Sequence, residues 1–267
     1  GRKKTYLFGG KIGGTQSNQI LEYDAVADAI VTKTETLPSG RSGTAAAYDP
    51  GTNKIYIFGG VDTGGLGLAD VLDYDPNTGT VNTKAASISP GRSLLSAGYH
   101  PGQARIYLFG GFQNFNGTFI NQILEYNPAT DSLVAKSTTV PSPRASMGAG
   151  YDPGTNLIYL FAGNSNGSFL DEVVAYDAVN DTRSARSAVF ASTRAGMAAA
   201  FDDNVDRFFI FGGSVPAALS TDVVEYDPAA DSLITRAVVL PSSRSFSSAA
   251  FDEITLADNQ CLECHSP

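Results

Sequence analysis

Tryptophan is absent from this 267-residue chain, and cysteine, histidine and methionine occur twice each. Both cysteines, Cys261 and Cys264, stand at the C-terminal end, so the body of the fold uses no disulfide. Two histidines leave little for nucleophilic or copper chemistry. The adjacent carboxylates Asp171-Glu172 and Asp202-Asp203 fall at strand-entry and turn positions, with no sign that an acid and a base converge in one pocket. Positive charge is also scarce: 18 Lys+Arg face 27 Asp+Glu, a net charge of −9. Such a surface argues against non-specific nucleic-acid or anionic-membrane binding. No apolar run approaches the roughly 20 residues that span a bilayer. No signal peptide is visible, and a start at Gly1 rather than Met is compatible with a removed leader.

What the chain does have is a repeat. Ile55-Tyr56-Ile57-Phe58-Gly59-Gly60 returns as Tyr6–Gly10, Ile106–Gly111, Ile158–Gly163 and Phe208–Gly213. A short apolar and aromatic run ended by a glycine pair reads as a buried strand followed by backbone that needs glycine. Self-similarity at a period of about 50 residues signals a repeat architecture. Aligned on the glycines, each unit holds four strand-like segments. The first is small and apolar and follows an arginine, at Arg41, Arg92, Arg144, Arg194 and Arg244. The second is the aromatic strand. The third ends in tyrosine, at Tyr23, Tyr74, Tyr126, Tyr176 and Tyr226, and the fourth follows a turn such as Asp75-Pro76-Asn77-Thr78-Gly79.

Four antiparallel strands repeated around an axis form a β-propeller, which protects its edges by closing the ring. The arginine, the Gly-Gly pair and the tyrosine resemble those of Kelch-repeat propellers over residues 1–251. The tryptophan that this family places after the tyrosine is replaced by Ile30, Val81, Leu133, Arg183 and Leu233. The fold expected is all-β: a five-bladed propeller over residues 1–252, closed by pairing of the N-terminal and C-terminal strands, with an irregular tail at 253–267. Antiparallel alternation puts both chain ends on one face. The arginines and the glycine- and asparagine-rich loops lie on the other. The arginines are candidates for an anion or partner site. Their structural alternative, favoured here, is blade-to-blade bonding to Glu22, Asp73, Glu125 or Glu225.

The tail ends Cys261-Leu262-Glu263-Cys264-His265. Cys-x-x-Cys-His is the attachment pattern of c-type haem, and this segment resembles that of c-type cytochromes. Two thioethers to one covalent haem c and His265 as proximal iron ligand would follow. A redox dithiol would want a βαβ context, and a closed zinc site wants four ligands where three are local. The sixth position falls to His100, to a neighbouring subunit or downstream sequence, or to water. His100 is the weaker candidate, since a lone turn histidine is usually solvated; Met147 and Met197 read as core.

The expectation is an exported, periplasmic or extracellular electron carrier rather than a catalyst. Its partners would be a redox protein or neighbouring copies of itself, with no nucleic acid and no membrane span. The sequons at Asn116 and Asn166 agree with export. The alternative is a redox-inert protein- or ligand-binding propeller.

Overall fold

The computed structural model describes residues 4–24, 26–114 and 116–245. The chain forms five antiparallel blades of a propeller, and its only helix among the described residues is one 3₁₀ turn at Pro101–Gln103. Blade 2 runs Ala45–Asp49, Lys54–Phe58, Asp70–Tyr74 and Val81–Ser87, from the inner strand to the outer. Blade 3 begins at Ser96–His100, blade 4 at Gly148–Asp152 and blade 5 at Ala198–Asp202. Blade 1 has three described strands, Lys4–Phe8, Gln19–Asp24 and Ala29–Thr36. Its expected fourth, from the C-terminal segment, lies outside the described residues, as do Cys261, Cys264 and His265.

Blades stack through aromatic residues of the second and third strands. Tyr126 of blade 3 lies 5.3 Å from Tyr56 and 5.5 Å from Phe58 of blade 2, and Tyr176 repeats this with Tyr107 and Phe109 at 5.6 Å. Tyr226 does so with Tyr159 and Phe161. Each tyrosine presents a large apolar ring, and its hydroxyl still needs a partner. The turn that follows supplies one, since Tyr126, Tyr176 and Tyr226 donate to Asp131, Asp181 and Asp231, each at 3.0 Å. The second oxygen of each aspartate then accepts from the preceding blade's outer strand: from Ala85 N, Ser137 N and Ser187 N. Blade 2 has Gly79 at this point, so the Tyr74 hydroxyl lacks a partner and Glu35 of blade 1 fills the space.

Small residues line the inner strands because neighbouring blades converge there. A Cβ on Gly150 would sit 2.6 Å from the Phe208 ring, and one on Gly98 would meet Ile158 at 3.1 Å. Met147 and Met197 are buried, as expected. The two glycines after the second strand differ in what they tolerate. The first occupies φ near 60°, and in blade 4 Ala162 takes this place at φ 50°. The second has φ between 92° and 110° in all five repeats, a region that only glycine enters at little cost. Gly163 is also crowded, since its Cβ would meet Met147 at 2.8 Å. Gly163→Ala should therefore destabilise the protein by about 2–3 kcal/mol, while Ala162→Gly stays within about 1 kcal/mol of the parent. Denaturant melts of the two variants check this.

Candidate functional site

The arginine-bearing face is built from two kinds of loop. One enters each inner strand and carries the arginine; the other joins second and third strands. Arg41, Arg92, Arg144 and Arg194 are only 0–2% exposed. Each joins two blades. The Arg92 carbonyl accepts from Gly60 N of blade 2 at 3.0 Å, while its Nη1 donates to the Gly110 carbonyl of blade 3 at 3.3 Å. Arg41 links Gly10 to Gly59 and Arg194 links Gly163 to Gly212 in the same way. Nη2 then reaches the start of the third strand: Asp70 at 2.8 Å from Arg41, Asp222 at 3.1 Å from Arg194, and Glu172 from Arg144.

These contacts confirm the structural role and correct its partners. Glu22, Asp73, Glu125 and Glu225 stand three residues further along the third strand. There each meets two cations of its own blade: Lys4 and Lys33, Lys54 and Lys84, Arg105 and Lys136, Arg207 and Arg236. The residues that pair with the arginines were missed because a three-residue offset reverses the side of a strand on which a side chain projects. The signal was there, as Asp70, Gln122, Glu172 and Asp222 recur at one repeat position. Four of the five arginines are therefore buried, with their guanidinium groups engaged in contacts within the fold. Arg244 is exposed, and its guanidinium folds back on Ser242.

Inside the arginines a further set of bonds circles the axis. Leu94 N donates to Gly43 O at 2.7 Å, Ser146 N to Leu94 O and Gly196 N to Ser146 O, both at 2.8 Å. All four residues hold φ between 56° and 67°, which turns each peptide toward its neighbour. These three bonds tie the entries of blades 2 to 5 to one another through their backbone on this face.

Outside the arginines, the loops between second and third strands form short hairpins in four blades, at Lys11–Gln16, Phe112–Phe119, Asn164–Phe169 and Ser214–Leu219. Three of these hairpins, and the blade 2 loop, are tied down at the base. Ser93 bridges Phe112, Ala145 bridges Asn164 and Ala195 bridges Ser214, while Val61 bridges both Ser42 and Gly67. Their tips expose Ile12, Leu66 and Leu219, and Phe112 packs on Phe119 at 5.0 Å. Across residues 9–18, 60–69, 111–121, 162–171 and 212–221 the only charged residues are Lys11, Asp62 and Asp171. Asn116 and Asn166 are exposed at corresponding hairpin tips.

The opposite face collects acid. Its turns carry Asp24, Asp75, Asp177, Asp203 and Asp227, with the buried Asp49 and Asp152 capping their own turns. His100 replaces aspartate at this point of blade 3. Expected to be solvated, it is fully buried, and its ring lies 4.9 Å from that of Tyr151. Nδ1 accepts from Gln103 N at 3.2 Å, and Nε2 has no hydrogen-bond partner. Reaching a haem iron would require this corner to open. No group of three or more metal-ligating side chains occurs among the described residues, and no helix there is long and apolar enough to cross a membrane.

Comparison with known proteins follows the same lines. Residues 1–182 match the KLHDC2/KLHL20/DRC7 Kelch-repeats domain. A RING finger domain and kelch repeat-containing protein of Dictyostelium discoideum is 33% identical over 109 residues, 41% of this chain and 10% of that protein. Multiple epidermal growth factor-like domains protein 8 of mouse is 34% identical over 134 residues, 47% of this chain and 5% of that protein. The chain thus spans a tenth or less of these relatives. The solved structure of YjhT superposes with a TM-score of 0.75 at 16% identity, over 94% of this chain and 85% of that one, a likeness of fold.

Arg92 is the exception among the clamps, because its side-chain partner is the neutral Gln122, at 2.8 Å. Burial without a counter-ion pulls the Arg92 pKa down to about 10. The carboxylates facing the other arginines remain about a quarter to two-fifths exposed, so a carboxylate here keeps much of its hydration. Gln122→Glu should therefore raise stability by roughly 1–2 kcal/mol at pH 7. The new carboxyl would have its pKa depressed by Arg92. The gain is then present above its unfolded value, about 4.3, and lost as pH falls through the lower folded value. Urea melts at pH 7 and pH 3 measure both.

Proposed function

Because the chain belongs to the Kelch-repeat family, we propose that it is a protein-binding propeller whose docking surface is the crown of hairpins around the arginine-bearing face. The observation that carries this reading is the contrast between the two faces. The crown sets exposed apolar side chains on anchored hairpins with three charges among them, whereas the other face is studded with aspartate. Interfaces are depleted of charge at their centres and enriched in aromatic and apolar anchors, and rigid supports lower the entropy lost on docking. With four arginines buried and the inner-strand entries bonded to one another, the crown offers the exposed side chains on that side. Peptides selected from a displayed random library should be poor in charge. Their binding should fall at least tenfold with Ile12→Asp, Leu66→Asp and Leu219→Asp together, and hold with Val205→Asp on the acidic face. Selected ligands that ignore the crown substitutions would overturn this reading.

A second reading rests on the sequence Cys261-Leu262-Glu263-Cys264-His265. It supports covalent attachment of one haem c through both thiols, with His265 on the iron, and electron transfer by an exported protein to a redox partner. The propeller would then act as the docking scaffold for the haem-bearing tail. Denatured protein from its native source should keep haem mass and give a pyridine haemochrome spectrum, and Cys264→Ser should abolish the covalent haem. A mass equal to the bare polypeptide would end this reading without touching the first.

A further inference from the structure

In each blade the fourth strand lies at the edge of its sheet, and a bare edge invites pairing with another chain. Two devices blunt that edge. Midway along the strand, in blades 2, 3 and 4, an aspartate of the next blade accepts an outer-strand N–H: Asp131 from Ala85, Asp181 from Ser137 and Asp231 from Ser187. Beyond the end of the strand stands a proline, which has no N–H to offer. Pro38, Pro141 and Pro241 lie three residues before the arginine, and Pro90 two before. The outer strands of blades 1, 2, 3 and 5 stop just short of it, at Thr36, Ser87, Thr139 and Val239.

Blade 4 keeps the first device and lacks the second. Ala191 stands where three blades have proline, and the strand runs on for 13 residues, Thr182–Arg194, until Arg194 pairs with Leu170. Past the Ser187 N–H held by Asp231 come Ala188-Val189-Phe190-Ala191-Ser192-Thr193, with no charge among them. Phe190 is buried against Phe161 and lies under the Arg194 guanidinium, which anchors the segment. Val189, Ala191 and Ser192 are exposed. Since proline serves at the Ala191 position in three blades, the fold does not require the Ala191 N–H. The segment reaches the arginine-bearing face beside the blade 4 hairpin at Asn164–Phe169, which is equally free of charge.

We infer that the partner docked on the crown, the reading on which this rests, also adds an extended strand to the edge of blade 4 at Ala188–Thr193. The occupant is an uncharged, proline-free segment of another protein, with a β-branched or aromatic residue opposite Val189. Main-chain hydrogen bonds would supply affinity, and the apolar pair would set the register. A second copy of this chain is the poorer occupant, because this short edge falls far below the roughly 20–30 residues that each side of a stable interface contributes.

The charge-poor peptides selected on the full chain provide the probe. Their binding should fall roughly tenfold or more with Ala191→Pro and stay within about twofold with Ala191→Ser. Ala191→Pro should melt as the parent does, because its sibling blades already carry proline there. On the unaltered protein, N-methylation of alternate peptide amides should abolish binding in one register and spare it in the other. The Ala191 amide should exchange quickly in the free protein and slowly with peptide bound. Peptides that lose affinity with the three crown substitutions, yet bind the Ala191→Pro protein and tolerate N-methylation in both registers, would overturn this inference and leave the crown reading intact. Peptides indifferent to both sets of changes would overturn both. Slow exchange of Ala191 in the free protein would also overturn it, since another segment of this chain or a second copy would then already hold the edge.

Discussion

A guanidinium held between two blades is the contact on which the rest of this propeller depends. Removing an arginine side chain from water costs several kcal/mol, which must be offset by well-placed acceptors. Here the acceptors are a glycine carbonyl of the following blade for Arg41, Arg92 and Arg194, and a carboxylate of its third strand for Arg41, Arg144 and Arg194. The same residue's own carbonyl receives an N–H from the blade before. Those bonds require backbone to approach backbone at the end of the second strand, where four blades carry glycine and blade 4 carries Ala162 at φ 50°. A Cβ on Gly110 would lie 2.3 Å from the Arg144 carbonyl oxygen. The Gly-Gly pair and the arginine are therefore one device seen from two sides.

The repeats vary where the physics allows compensation. Blade 4 has Ala175 and Leu157 where the other blades pair an acid with a base, so a partly desolvated ion group is exchanged for apolar packing in the core shared with blade 5. Its outer-strand cation, Arg186, turns instead to Tyr226 and Asp231 of blade 5. Burial would raise the Asp231 pKa, but Ser187, Tyr226 and Arg186 together hold it down at about 2. That carboxylate contributes stability above its unfolded pKa and loses it as pH falls toward 2. In blade 3, His100, Gln103 and Ala104 stand where blade 2 has Asp49, Thr52 and Asn53, and the turn closes on Nδ1 rather than on a carboxylate.

Antiparallel alternation sends every charged turn to one face and every hairpin to the other. With turns built on Asp and Pro, the acidic face follows from turn chemistry. The crown escapes that requirement because its hairpins are held by bridges to the inner-strand entries, which leaves their tips chemically unconstrained. Loop tips on a rigid frame are where propellers have freedom to acquire partners.

Much of this was legible in the chain itself. Five aromatic strands, four ending in Gly-Gly and one in Ala162-Gly163, the tyrosines and the turn residues determined the blade count, the strand order within a blade and the sorting of loops. They could do so because strand periodicity and φ requirements are local properties of the backbone. The Cys261, Cys264 and His265 motif is a reading of spacing alone and lies outside the described residues. Which carboxylate meets which arginine was decided by tertiary structure, because a strand's two faces meet different blades and sequence distance does not say which. The burial of His100 and the backbone ring through Gly43, Leu94, Ser146 and Gly196 also arise only when blades converge on an axis.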